Sequence, residues 1–209
     1  MEIQYMGANC VEIHSGKNSL FTDANLAAYK VPLSPSKADV ILASQKEYQL
    51  DNEKLFQISD PGEYEIAGFA IVGVSVRSHT DEKGRKSAVL YRIMSNNVSV
   101  CVTGHMHPEI SDEDLETIGM VDVLVIPVGG HGFTLDAIGA ASLARKISPK
   151  IIIPTHYEQK GVSYPVPQDP VELFVKEMGL QHEIMDRLKI KNNLPLSENT
   201  QIVELKRLI

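Results

Sequence analysis

Apolar and polar positions along this chain follow two rhythms, and the change falls near residue 106. Before it, short runs either alternate or stay apolar over a few residues, as strands do. "EIQYMGANCVEIHS" and "SLFTDA" read as consecutive strands, with "GKN" between them as a tight turn. "ADVILASQ" has the short apolar run of a strand covered on both faces. "LFQIS" leads into "DPGEY", a turn carried by Pro61 and Gly62. In "YEIAGFAIVGVSVRS" β-branched residues are broken by glycines, which predicts bent or paired strands. The charged loop "DEKGRK" precedes "SAVLYRIMSNNVSVCVTG", a hairpin turning at Asn96 and Asn97.

After residue 106, helix and strand alternate. Ser111 and Asp114 form a capping-box pattern, and the helix they open stops at Gly119. "VDVLVIPVG" and "KIIIPTHY" are buried strands. Between them "TLDAIGAASLARKIS" places Leu135, Ile138, Leu143 and Ile147 at roughly helical spacing. Asp169 and Pro170 start a helix whose Val171, Phe174, Val175 and Met178 make an apolar stripe, ended by Gly179. The tail, "DRLKIKNNLPLSENTQIVELKRLI", predicts two short strands around a proline-containing turn. A β-rich half followed by strand–helix alternation fits an α/β fold with two sheets face to face and helices outside. That arrangement is a four-layer α/β/β/α sandwich, although other α+β layouts accommodate the same pattern. No repeat, low-complexity linker or boundary divides the chain, so residues 1–209 are expected to form one domain.

The bulk numbers narrow the function classes. Hydrophobic residues make up 43% of the 209, and the formal net charge is −7. An acidic chain without a Lys- or Arg-rich block argues against a nucleic-acid partner. No apolar run approaches the length of a membrane span. The start lacks the basic and apolar regions of a signal peptide, and Cys10 and Cys101 fall inside predicted strands as reduced core thiols. A cytoplasmic protein is the expectation. No nucleophile elbow, phosphate-binding loop or dinucleotide fingerprint is present.

Several segments, taken in order, carry a family likeness. The opening "YMGANCVEI" is similar to a Tyr-Leu-Gly-His-Ser-Cys-Phe start. "LFTDA" matches an Ile-Asp-Pro segment, "ADVILAS" a strand running into a metal motif, and "DPGEYEIAG" a Gly-Pro-Gly-Glu-Tyr-Glu turn. "VDVLVIPVGGHGFTLDA" and "SPKIIIPTHY" are the most specific pieces. Together they resemble the metallo-β-lactamase superfamily, in particular its small L-ascorbate-6-phosphate lactonase-like hydrolases. The resemblance spans essentially the whole chain and implies the metallo-β-lactamase fold. It also implies two ions of zinc, manganese or iron that acidify a bridging water.

Carried over position by position, the implied ligands are mostly missing. Gln45, Glu47, Gln49 and Leu50 stand where the family has His, His, Asp and His. Two neutral amides and an alkyl group cannot balance a divalent charge. His79 and His156 match family histidines, whereas His105 replaces the bridging aspartate, and Ala8 stands where the opening motif often has histidine. The leading expectation is therefore a metallo-β-lactamase-fold protein without its dinuclear centre and without a cofactor. Its role would be to bind a small molecule or a protein partner, and assembly into a homo-oligomer is a further expectation. The alternative is a hydrolase with one zinc, manganese or iron ion on Glu47, His79, His105 and His156.

Asp23, Glu63, Tyr64, His131 and Asp136 are candidates to line the same pocket. Each has a plainer reading. Glu63 and Tyr64 belong to the Pro61-Gly62 turn, His131 sits in a Gly-rich loop, and Asp136 caps a helix. His107 is expected at the surface, because it alternates with His105. His14 and His182 have no partner in sequence.

Overall fold

In a computed structural model, which describes residues 1–190 and 199–208, the chain starts with five strands. They are β1 (Glu2–Gly7), β2 (Cys10–Ser15), β3 (Asn18–Thr22), β4 (Val40–Leu42) and β5 (Gln57–Ile58). Four antiparallel neighbours follow: β6 (Gly62–Ile66), β7 (Phe69–Val76), β8 (Ala88–Ser95) and β9 (Val98–Val102). The chain then alternates through α1 (Asp112–Ile118), β10 (Val123–Pro127), α2 (Ala137–Ile147), β11 (Ile151–Thr155) and α3 (Val171–Met178). It finishes with β12 (His182–Met185), β13 (Leu188–Lys189) and β14 (Gln201–Leu205).

These strands make two sheets, one ordered β13-β1-β2-β3-β4-β5 and the other β12-β14-β11-β10-β9-β8-β7-β6. Alternation in the smaller sheet sends its side chains to two different cores. Ile3, Tyr5, Val11, Ile13, Leu20 and Leu42 join the strands of the larger sheet in the main core. Their neighbours Met6, Cys10, Phe21 and Ile41 face the other way and pack with Leu26, Tyr29, Val31 and Tyr48. A period of two places adjacent residues on opposite faces, so both faces of this sheet must be covered. Over its outer face, the cover is supplied by two 3₁₀ turns, Ala27–Tyr29 and Lys46–Tyr48. The larger sheet is covered by α-helices: α1 meets β7, and α2 lies between β10 and α3.

Local signals explain most element ends. Ser111 and Asp114 form the reciprocal capping box, and Gly119 closes α1. Asp136 caps α2 by accepting from the Gly139 N–H at 2.7 Å. Gly179 closes α3 in the left-handed conformation. Asn96 and Asn97 both have positive φ, 51° and 60°, as a two-residue hairpin turn of the right twist demands.

Three elements differ from the sequence reading. The first predicted strand is a hairpin of two, because the backbone reverses at Gly7 (φ 123°) and Ala8 (φ 47°). Ile138 is 68% exposed, and the buried face of α2 is made by Ala140, Ala141, Leu143, Ala144 and Ile147 instead. The predicted turn "DPGEY" is half strand, with β6 beginning at Gly62 and pairing along β7. The proline turn predicted for the tail lies outside the described residues.

Candidate functional site

The loops that follow β1, β3, β4, β9 and β11 meet at one end of the two sheets. Asp23, with φ 42°, stands at the end of β3 and is fully buried. Its Oδ1 accepts from the Ser44 N–H at 2.6 Å, and its Oδ2 accepts from Ser44 Oγ and Asn9 Nδ2, both at 2.8 Å. Asn9 in turn accepts from Thr155 Oγ1 at 2.7 Å, which ties the smaller sheet to β11. Burial pushes the Asp23 carboxyl up to about 6 in spite of these bonds, which oppose the shift. A carboxylate whose two oxygens hold three donors is a strut for its loops.

Beside it lies a cluster of rings. His105 and His156 are edge to face, with ring centroids 5.0 Å apart. Tyr48 stacks on His105 at 4.5 Å, and its hydroxyl lies 3.2 Å from His105 Nε2. Phe133 covers both imidazoles, and Tyr29 and Tyr164 pack against His156. His79 approaches through its backbone, donating its N–H to the His105 carbonyl at 3.0 Å. The Gly-Gly pair after β10 has a packing reason, since a Cβ on Gly129 would collide with the His156 carbonyl and Gln168 Oε1.

Electrostatics keep the cluster neutral. Burial lowers His105 well below the ordinary imidazole range, with the neighbouring His156 and His79 adding to the effect. Burial brings His156 down to about 4, against the hydrogen bond to Gln168. It also lowers His79, helped by His107, and raises the Tyr48 phenol far above its usual range. Three ring nitrogens in this cluster are buried without a hydrogen-bond partner: His79 Nδ1, His105 Nδ1 and His156 Nε2. His105 Nδ1 faces Asp23 Oδ2 at 4.0 Å, too far for a hydrogen bond. Such atoms mark a place where folding alone does not account for the residues chosen.

The predicted site residues therefore separate into two groups. Asp23, His79, His105 and His156 gather at this end. Gln45 is buried at the start of a 3₁₀ turn, while Glu47 is exposed on that turn. Gln49 is half-buried, and its carbonyl accepts from Asn25. Leu50 packs at the edge of the outer core, its backbone pinned at both polar atoms by the Gln57 amide. Glu63 is exposed on β6, and the Tyr64 hydroxyl donates to the Asp60 and Pro61 carbonyls. His131 is exposed and pairs with Asp169 at 3.1 Å, while Asp136 does the work of a helix cap. His107 is half-buried, with its ring 6.0 Å from that of His79. His14 and His182 pair with Glu12 and Glu204.

Tyr48, Tyr29, Phe133, Tyr164 and Gln168 complete the cluster and were not singled out by sequence. Tyr48 had a readable signal: it is an aromatic residue between Glu47 and Gln49, inside the altered motif itself.

The residues present do not fit the two-ion centre that the family resemblance implies. Asp23 has its oxygens committed, Glu47 faces solvent and the Tyr48 ring lies on His105. Among the described residues, no group of three or more His, Cys, Asp or Glu side chains is arranged to hold a metal ion.

Known proteins resemble the chain in sequence and in shape. Residues 2–156 match the family described as beta-lactamase superfamily domain. A UPF0173 metal-dependent hydrolase of Thermococcus kodakarensis is 34% identical over 70 residues, covering 34% of this chain and 29% of that protein. One from Thermoplasma acidophilum is 42% identical over 48 residues, 22% of this chain and 21% of that protein. Each matched stretch thus spans less than a third of the relative's length. A crystal structure from the metallo-beta-lactamase superfamily of Thermotoga maritima superposes with a TM-score of 0.76 at 24% identity, covering 99% of this chain and 100% of that one. The metallo-beta-lactamase fold protein YhfI of Bacillus subtilis gives 0.62 at 11% identity, over 99% and 97% of the two chains. Among the described residues no helix is long and apolar enough to cross a membrane.

Proposed function

The chain belongs to the beta-lactamase superfamily, and we propose that within it this protein binds a ligand or partner and no longer runs two-ion hydrolysis. The observation that carries this reading is Tyr48. Its ring stacks on His105 with the hydroxyl 3.2 Å from Nε2, so an aromatic side chain from the altered motif fills the space beside the imidazole that a motif ligand would occupy. Gln45, Gln49 and Leu50 offer no anionic donor to replace what the motif has lost, and Glu47 is turned to solvent. The superfamily's chemistry depends on metal-acidified water, which needs anionic and imidazole ligands held together. Relatives are named metal-dependent hydrolases, and that activity is the reading to test against. Purified protein is expected to show no esterase, lactonase or phosphodiesterase turnover, with or without added zinc or manganese. Robust turnover abolished by a chelator would overturn the proposal.

A second reading, a hydrolase using one ion, is favoured by one observation: the unpartnered nitrogens on His79, His105 and His156. It requires those side chains to turn toward a common point. On this reading His105→Ala and His156→Ala each lower the metal content of the purified protein. Unchanged content in both variants would exclude it.

A further inference from the structure

A cleft of about 500 Å³ opens beside the altered motif. Its volume falls in the range of small-molecule sites. None of its lining residues is a histidine. One wall comes from the loops after β4 and β5, with Gln45, Glu47 and Asp60. The other comes from the loop between β7 and β8, with Arg85, Lys86 and Ser87.

The second wall is built with care. Asp81 Oδ2 accepts from the Ser78 N–H at 2.9 Å and the Ser87 N–H at 2.8 Å. Its Oδ1 accepts from Ser87 Oγ at 2.8 Å and lies 3.2 Å from Arg85 Nε. Both oxygens of this buried carboxylate are spent holding the loop, which fixes the stem of Arg85 and leaves its terminal guanidinium nitrogens without a partner among the described residues. On the facing wall, Gln45 is only 9% exposed, yet its amide makes no hydrogen bond within the described residues. An amide that lines a cleft without a protein partner is free to donate to and accept from a ligand.

The charges sort the ligand chemistry. Glu47 and Asp60 stand on one wall, with exposed Lys46 between Gln45 and Glu47, and Arg85 and Lys86 stand on the other. Arg85 pairs with Asp81 and Lys86 with Asp114, and among the described residues neither crosses the cleft to Glu47 or Asp60. Opposite charges that share a cleft without closing on each other suit a molecule carrying both signs. We propose that this cleft binds a small zwitterion of the amino-acid class, its carboxylate on Arg85, its ammonium on Asp60 and a polar group on the Gln45 amide. An arginine whose Nε is already held presents its terminal nitrogens to a carboxylate with little ordering left to do. The assignment deepens the binding role given above and rests on it.

The test is a two-dimensional amide NMR titration of the full chain with a mixture of the free proteinogenic amino acids at millimolar concentration. Saturating shifts confined to residues 45–47, 59–61 and 85–89 are expected. Arg85→Gln and Asp60→Asn, both at exposed positions, should each weaken binding about tenfold, as loss of one charged contact does. Absence of shifts at these residues would overturn the proposal, as would shifts that both variants leave unchanged. Acetate or methylamine alone reproducing the full pattern would also overturn it, because a site for one sign of charge is not a zwitterion site. Chelator-sensitive turnover measured on the same sample would refute the loss of hydrolysis while leaving the cleft assignment to stand or fall on the shifts.

Discussion

Two buried polar groups sit side by side at the loop end of the sheets and obey opposite rules. Around Asp23 every oxygen is used: Ser44 donates twice, Asn9 once, and Thr155 completes the chain to β11. Around His105 and His156 ring nitrogens are left over. Folding alone selects against unpaired buried nitrogen, since such a group forfeits its hydration without compensation. The Asp23 network therefore reads as scaffold, kept because loops depend on it. The imidazole cluster reads as a candidate site, held in place by aromatic packing.

The largest expected effect comes from breaking the scaffold. Asp23→Ala strands the Ser44 N–H and hydroxyl and the Asn9 amide in the interior, and a loss of about 4 kcal/mol in unfolding free energy is expected by urea denaturation. A loss below about 1 kcal/mol would mean that the network is not a strut.

Acid should act through the cluster next. His156 is brought down to about 4 in the folded protein, so the unfolded chain takes up its proton first as pH falls from 6.5. Stability is then lost progressively between about pH 6.5 and 4, by about 3 kcal/mol for this residue alone. His105 and His79 shift in the same direction and add to the loss. Asp23 acts oppositely: raised to about 6, it takes its proton first in the folded state and gains stability between about pH 6 and 4. Three imidazoles outweigh one carboxylate, and denaturation midpoints across this window should fall with pH. A flat profile would show that the histidines are hydrated.

The smallest effect sharpens the contrast. His105→Phe keeps a flat ring under Tyr48 and removes one unpartnered nitrogen, while the Tyr48 hydroxyl keeps Tyr29 as a hydrogen-bond neighbour. Its cost near neutral pH should stay within about 1 kcal/mol, and the acid loss of stability should shrink. A cost comparable to that of Asp23→Ala would erase the distinction between the two groups.

Much of the scaffold was legible in the sequence, because the signals are local. Asn96 and Asn97 announce their turn, Ser111 and Asp114 their helix, and "VLVIP" and "IIIPT" their burial on both faces. The Gly7–Asn9 reversal was not visible, since Met6, Cys10 and Val11 on either side are all buried and the apolar pattern runs through the turn. Ile138 misled for a related reason. The larger side chain suggested the packed face, but Ala140, Ala141 and Ala144 fill that face beside Leu143 and Ile147. At the site, resemblance by position located His79, His105, His156 and Asp23 at one end of the fold. It could not say that Glu47 faces out and Tyr48 faces in. That depends on the 3₁₀ turn at Lys46–Tyr48, where adjacent side chains point in different directions.

The central proposal is that Tyr48 packs on His105 where a motif ligand would stand, so that no two-ion centre forms. Elemental analysis of untagged protein, before and after incubation with zinc and manganese, tests it most directly. Metal at background level per chain in both samples is the predicted result. One equivalent or more, retained after dialysis, would contradict it and return the chain to the metal-dependent hydrolases it resembles.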